Sequence, residues 1–262
     1  MDASVRSLLY SRPRLYDLVF PDAGETELRM CLTAIDRFGD GAPRSALDLG
    51  CGTAMNLERV ARTVPDCWGV DFLPSNIDYA RSVRPQLALT VGDMRAVRLG
   101  RTFDLVMCFG NALSYALTDA DLAATAATFA AHCRPGGLLM VDALNARSYL
   151  DGDFAPRVEG QVDTPEFTAA SVSTLSLDRA ARRMTRTRVW HIAGEPGVED
   201  WAEYRLLEPG EFRSLVAGAG FDVLALYDNR DFRESDLTGA ARAAADVAGM
   251  RGRKLYLFAR RR

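Results

Sequence analysis

The sequence predicts an α/β protein: a doubly wound, seven-stranded, mostly parallel sheet with an antiparallel β insertion after the fifth strand. Three observations carry that expectation. Between Ser45 and Val141 short apolar runs alternate with stretches of helical period, as in a parallel sheet covered on both faces. A glycine-rich turn, Asp48-Leu49-Gly50-Cys51-Gly52-Thr53-Ala54, joins the first run to the helix after it. From Asp151 to Leu207 the alternation fails, and runs rich in Val, Thr, Trp and Tyr replace it.

Taken in order, Val5 to Phe20 reads as short helices broken at Pro13. Leu28, Cys31, Leu32, Ile35 and Phe38 recur at helical spacing, so 25–38 is a helix, stopped by Gly39-Asp40-Gly41. The strands of the parallel set are 46–49, 68–71, 87–91, 103–109 and 138–141, with helices at 55–63, 75–83 and 119–133 between them. Thr118 or Asp119 caps the last of these helices. Antiparallel strands follow at 167–177, 184–192 and 199–206, and the turn 193–197 joins two of them. A helix at 209–217, a strand at 221–227 and a final strand at 254–259 return to the main sheet. The connection 229–253 is long, with a short helix expected at 240–247.

Composition excludes more than it assigns. The 262 residues carry 32 Lys+Arg and 35 Asp+Glu, a formal net charge of -3, which argues against a phosphate-neutralising nucleic-acid surface. Lys254 is the single lysine; G+C-rich codon usage accounts for the arginine bias. No stretch reaches the ~20 apolar residues that span a bilayer, and the N-terminus lacks a signal-peptide pattern. The five scattered cysteines include no C-x-x-C pair, so no metal site and no disulfide framework is expected, and a reducing, cytoplasmic setting follows.

Ligands of open parallel sheets bind at the carboxyl ends of the strands. There the sequence places the glycine loop, then Asp71, roughly 20 residues on, at the offset where a carboxylate accepts from ribose hydroxyls. Asp93 ends the third strand, and Phe109, Gly110 and Asn111 end the fourth. One crevice therefore receives a glycine loop, two carboxylates and an aromatic–amide corner.

The segments 46–54 (ALDLGCGTA), 69–74 (GVDFLP), 92–94 (GDM), 103–106 (FDLV) and 133–137 (CRPGG) resemble, in order and spacing, the motifs of class I S-adenosylmethionine-dependent methyltransferases. Residues 14–19 (RLYDLV) and the β insertion resemble the small-molecule branch, including sugar N,N-dimethyltransferases of antibiotic pathways. The resemblance implies a Rossmann-like fold with a cofactor domain (41–150 and 207–262), an N-terminal helical lid (1–40) and an inserted β lid over the acceptor (151–206). It implies S-adenosylmethionine as cofactor. Asp48, Gly50 and Gly52 then surround its methionine part, Asp71 the ribose, Phe72 and Met94 the adenine, and Asp93 the adenine amino group. Phe109 and Asn111 flank the sulfonium, and Tyr16 reaches the cofactor carboxylate. Ala54 departs from the family's frequent third glycine, at an expected cost of looser packing only.

Methyl transfer asks chiefly that a lone pair be held in line behind an activated carbon, with water excluded. Candidate acceptor-side residues lie in or near the insertion: His191 as a base, Tyr204 as a second catalytic candidate, Trp201, Tyr204 and Tyr115 as an aromatic wall, and Arg205 for an acceptor carboxylate or phosphate. His132 is expected partly exposed at a helix C-terminus. The expected partner is a small molecule, neither nucleic acid nor membrane, for a monomer or homodimer. Weak base candidates leave open a methyltransferase-like protein that uses the bound sulfonium for a cyclisation, or binds it without turnover. A nicotinamide dehydrogenase is disfavoured by residues 92–94 and the single-domain layout.

Overall fold

The computed structural model describes residues 5–21, 24–151, 155–228 and 249–262. The helix expected at 240–247 lies outside them. The main sheet has seven strands: β2 (Ser45–Leu49), β3 (Asp66–Asp71), β4 (Ala88–Val91), β5 (Phe103–Cys108), β6 (Cys133–Leu144), β11 (Phe221–Asp228) and β12 (Lys254–Arg261). Their order is β11-β12-β6-β5-β2-β3-β4. Only β12 runs antiparallel to its neighbours, and the rest of the ladder is parallel.

The chain steps outward from β2 to β3 to β4 through α4 (Met55–Val60) and α5 (Pro74–Val83), then returns to the other side of β2 to form β5. That reversal opens a crevice between the carboxyl ends of β2 and β5, because the connections leave there in opposite directions. Both sheet faces are covered. Met30 of α3 (Glu25–Phe38), Leu57 and Ile77 pack on one face; Phe129 of α6 (Asp119–His132) and Phe212 of α8 (Pro209–Gly218) pack on the other. Each is fully buried and contributes roughly 2 kcal/mol through loss of water contact. A reciprocal capping box between Thr118 and Asp121 starts α6.

A second, wholly antiparallel sheet has the order β1-β10-β9-β8-β7, from β1 (Val5–Arg6), β7 (Arg157–Thr164), β8 (Phe167–Asp178), β9 (Arg183–Ile192) and β10 (Val198–Arg205). Two of its strands were not expected. The N-terminal segment is helical at α1 (Leu8–Ser11) and α2 (Pro13–Val19), but β1 pairs with β10 and joins the insertion. The sheet's inward face rests on two apolar clusters. Leu8, Leu9, Phe167, Trp190 and Ile192 form one. Leu144, Met184, Ala202, Tyr204 and Leu206 form the other, flanked by α7 (Ala146–Leu150).

Two local differences from expectation matter for the site. β6 is longer than 138–141 and carries Asp142 inside its buried stretch. Ala54 takes a left-handed backbone, φ 63 and ψ 23, at the start of α4. The position asks for positive φ, so alanine costs about 1 kcal/mol in backbone strain, rather than packing.

Candidate active site

The glycine loop is shaped by backbone geometry and by one carboxylate. Gly50 has φ +78, and a Cβ there would stand 2.6 Å from the Cβ of Ala112. Its N–H and that of Cys51 donate to Val70 O at 2.8 and 3.0 Å, tying the loop to β3. Asp71 closes the arrangement: Oδ2 accepts from Gly52 N at 2.9 Å, and Oδ1 accepts from Leu73 N at 2.9 Å and Asn76 Nδ2 at 3.1 Å. One side chain thus anchors the loop and the entry to α5. Burial raises its carboxyl pKa, while these hydrogen bonds lower it.

Asp48 lies on the same floor, 2% exposed. Its Oδ1 and the Oδ1 of Asn111 are buried with no hydrogen-bond partner among the described residues. Burial, then the charges of Asp71 and Asp142, push the Asp48 carboxyl up to about 7. A third carboxylate, Asp142, is fully buried. It accepts from Gly110 N at 3.1 Å, Asn111 N at 2.7 Å and Lys254 Nζ at 3.0 Å. Lys254 reaches Glu27 at 3.4 Å as well. Asp142 therefore holds the corner where Asn111 takes a left-handed backbone, φ 64. Phe109 lies beneath that corner, its ring in the core and 4% exposed, so it packs under the crevice rather than lining it.

The floor meets a roof built by the N-terminal helices and the second sheet. Asp17 of α2 accepts from Thr53 Oγ1 at 2.6 Å and Arg84 Nη2 at 2.9 Å, clamping the helix over the glycine loop. The Tyr16 ring packs at a tilt against Phe20, centroids 5.1 Å apart, and lies in the field of Lys254, Asp17, Glu27 and Asp142. The hydroxyls of Tyr10, Tyr115 and Tyr204 form a chain, 3.1 and 3.4 Å apart, with the Tyr115 and Tyr204 rings 5.0 Å apart. Burial raises the phenol pKa of Tyr10 and Tyr115, so both stay protonated.

At the outer end Phe72 is 44% exposed beside Asp71, an uncovered aromatic face at the rim. Met94 is half-buried against the core. Both oxygens of Asp93 are held by Arg95, at 2.6 Å at the closest, and Arg95 also reaches Asp121 at 3.0 Å. That guanidinium lowers the Asp93 carboxyl pKa.

Three expected acceptor-side residues are displaced by strand parity or by partners. His191 is exposed on the outward face of β9, between the inward Trp190 and Ile192, and so is no base for the crevice. Trp201 lies three residues from Tyr204 along β10 and so faces outward, away from the tyrosine chain. Arg205 is spoken for: Nη2 bonds Glu211 at 2.7 Å and Asp119 at 3.1 Å, and Nη1 bonds Ala181 O at 2.7 Å. His132 is buried at 1% exposure, not partly exposed. Its Nε2 accepts from Leu99 N at 3.0 Å and its Nδ1 lies 2.8 Å from Thr128 O; burial lowers its pKa and keeps it neutral. Asp142, Asp17, Glu27 and Tyr10 enter the site without a signal in the sequence, and Lys254, distinctive there only as the single lysine, joins them.

Two expected results follow here. Arg205→Ala lowers stability by about 1–2 kcal/mol, the pair being discounted for the exposure of its acidic partners, and leaves the acceptor KM unchanged. A raised KM without loss of stability in urea would return Arg205 to the acceptor site. Asp48 titrates higher in the fold than in the unfolded chain. Its contribution to stability is full below about 3.9 and is lost as pH rises to about 7. Urea unfolding at pH 5 and pH 8 therefore costs wild type more stability than Asp48→Asn; equal losses would mean that Asp48 is ionised throughout.

A buried floor with three carboxylates, two unpartnered acceptors and a single lysine fits a ligand that brings its own positive charge and donors. Comparison with known proteins agrees. Residues 46–137 match a methyltransferase domain family. The chain is 32% identical over 217 residues to the dTDP-3-amino-3,4,6-trideoxy-alpha-D-glucopyranose N,N-dimethyltransferase of Streptomyces venezuelae, covering 80% of this chain and 89% of that one. It is 31% identical over 218 residues to the dTDP-3-amino-3,6-dideoxy-alpha-D-glucopyranose N,N-dimethyltransferase of Streptomyces fradiae, covering 80% and 83%. Among solved structures it shares its fold with Streptomyces venezuelae DesVI (TM-score 0.77, 22% identity, 96% and 98% covered). It shares it too with SAM-bound CalS10, an amino pentose methyltransferase from Micromonospora echinaspora (TM-score 0.72, 22% identity, 100% of both chains).

Proposed function

The chain belongs to the class I S-adenosylmethionine-dependent methyltransferases that act on small molecules, and from that premise we propose that it methylates the amine of a sugar carried on a nucleoside diphosphate. Its cofactor is S-adenosylmethionine. One observation carries the finer reading. The similarity to amino-sugar N,N-dimethyltransferases runs over 217 residues, well beyond the 46–137 segment shared by methyltransferase domains in general, and so includes acceptor-side structure.

When bound, the cofactor supplies a methyl carbon activated by a sulfonium. On this reading Asp48 and Asn111 accept from its ammonium, Asp71 from its ribose hydroxyls and Asp93 from its adenine amino group. Gly50 and Gly52 admit the methionine backbone, Phe72 and Met94 border the base, and Tyr16 closes the carboxylate end. Tyr115 and Tyr204 orient the acceptor through their hydroxyls. An amine attacks through a lone pair it already has, so the protein needs only to receive it uncharged, and the protonated Tyr115 neither repels nor titrates it. The described parts of the N-terminal segment (5–21 and 24–40) and of the insertion (155–206) form the cover that keeps water out. The free, buried thiols and near-neutral charge fit a reducing cytoplasmic setting without nucleic acid, and among the described residues no helix is long and apolar enough to cross a membrane.

Incubation with S-adenosylmethionine and a dTDP-3-amino-3,6-dideoxyhexose tests the reading by mass spectrometry. The expected product is heavier by one or two methyl groups on nitrogen, at a rate that rises as the acceptor amine loses its proton. Methylation on oxygen, or none, would overturn it.

A further inference from the structure

The inward face of β9 carries two arginines whose charge the described residues do not balance. Arg186 lies between Ala202 of β10 and Leu175 of β8, and Arg188 between Asp200 and Ser173. Both share the face of Tyr204 and Trp190. Asp200 is the carboxylate between them, 1% exposed. Its Oδ2 accepts from Trp190 Nε1 at 2.6 Å and Leu8 N at 3.4 Å. Its Oδ1 stands 3.5 Å from Arg186 Nη2, at ion-pair distance without hydrogen-bond geometry.

The two guanidiniums are otherwise poorly served. Arg186 is 18% exposed, and its Nε is buried with no hydrogen-bond partner among the described residues. It lies 5.7 Å from the Tyr204 ring. Arg188 donates to Ser173 Oγ at 3.1 Å and packs 5.0 Å from the Trp190 ring. Burial first, and Arg186 second, lower its pKa. Among the described residues, two partly desolvated positive charges on one face share one buried carboxylate and leave an excess of about one charge. Guanidinium forks in such a place match a phosphate, which brings two or more acceptors to a fixed geometry.

We propose that Arg186 and Arg188, with Ser173 beside them, form an anion subsite on the roof that holds the phosphate or diphosphate of the acceptor. The subsite adjoins the hydroxyl chain of Tyr10, Tyr115 and Tyr204, so an anion there sets the attached sugar against the tyrosines. This proposal rests on the nucleotide-linked acceptor just argued, and names the groups that would hold the carrier.

The test is calorimetric titration of the full chain, saturated with S-adenosylhomocysteine, against thymidine, thymidine diphosphate and inorganic pyrophosphate. Wild type is expected to bind thymidine diphosphate at least tenfold more tightly than thymidine, with an affinity that falls as salt rises. The double variant R186Q/R188Q is expected to lose tenfold or more for thymidine diphosphate and to keep its S-adenosylhomocysteine affinity. R186K/R188K, which keeps charge but not the fork, should fall between, and serves if the glutamine pair does not fold. Pyrophosphate competing with thymidine diphosphate supports a general anion site, and its failure to compete places recognition in the whole nucleotide; either keeps the arginines as the contact. Equal binding of thymidine and thymidine diphosphate, or unchanged binding by both double variants, overturns the proposal. Failure of the amine-methylation reading is separate. It shows as no methylated product in wild type while the arginine-dependent binding persists.

Discussion

Asp71→Ala is expected to weaken binding of S-adenosylhomocysteine by at least about 100-fold in a calorimetric titration. Two losses combine. A carboxylate that accepts from ribose hydroxyls supplies charge-assisted hydrogen bonds of about 1.5–3 kcal/mol each. The same carboxylate holds the Gly52 and Leu73 N–H groups and the Asn76 amide, so alanine also frees the loop that the ligand needs preformed. Stability should fall with affinity, because those donors are left in a site only 9% exposed at Asp71. Asp71→Asn, which keeps one acceptor oxygen, should recover part of both. Unchanged affinity in Asp71→Ala would mean that the ligand lies elsewhere.

Lys254→Met is expected to lower unfolding free energy by about 3–5 kcal/mol, read from urea denaturation near pH 7. The Lys254 ammonium is the cation within 3.0 Å of Asp142, a carboxylate with no solvent exposure. Removing one partner leaves the other charged in a buried place, which costs more than the pair contributes when intact. Burial raises the Asp142 pKa while Lys254 lowers it, so in the variant the carboxyl is pushed toward protonation. The double variant Lys254→Met/Asp142→Asn should regain much of the loss, and cofactor affinity should fall in the single variant because Asp142 holds Gly110 and Asn111. A loss below about 1 kcal/mol would show that Asp142 is already neutral in the fold.

The crevice at the strand ends was legible because its residues are tied to turns and strand ends. The order of strands, helices and glycine loop can be read from period and spacing, and Asp71 and Asp93 lie where strands stop. Asp142 was not legible for the opposite reason. It sits within an apolar run, and only the pairing of β6 with β12 shows that the strand continues past it to meet Lys254. Tyr10 and Asp17 are distant in sequence from what they touch, and a two-residue strand such as β1 has no periodicity to read. The acceptor side carried a signal that had not been used. Trp201 and Arg205 stand at odd separations from Tyr204, and within one regular strand such residues cannot share a face. His191 needed the register of β9 as well, since either face of that strand is chemically plausible until Trp190 is seen to be buried.

The lone lysine has a consequence for the enzyme's own integrity. An enzyme that delivers methyl groups carries the risk of modifying itself, and a lysine side chain is an amine able to accept one. Here the one lysine stands beside the Gly110–Asn111 corner, ion-paired to Asp142 and Glu27. Those carboxylates raise its pKa and keep it as an ammonium. An ammonium has no lone pair with which to attack, so the amine beside the crevice is electronically silent. The arginines that supply the rest of the positive charge are poor nucleophiles for the same reason, their guanidinium remaining protonated at any pH the fold survives.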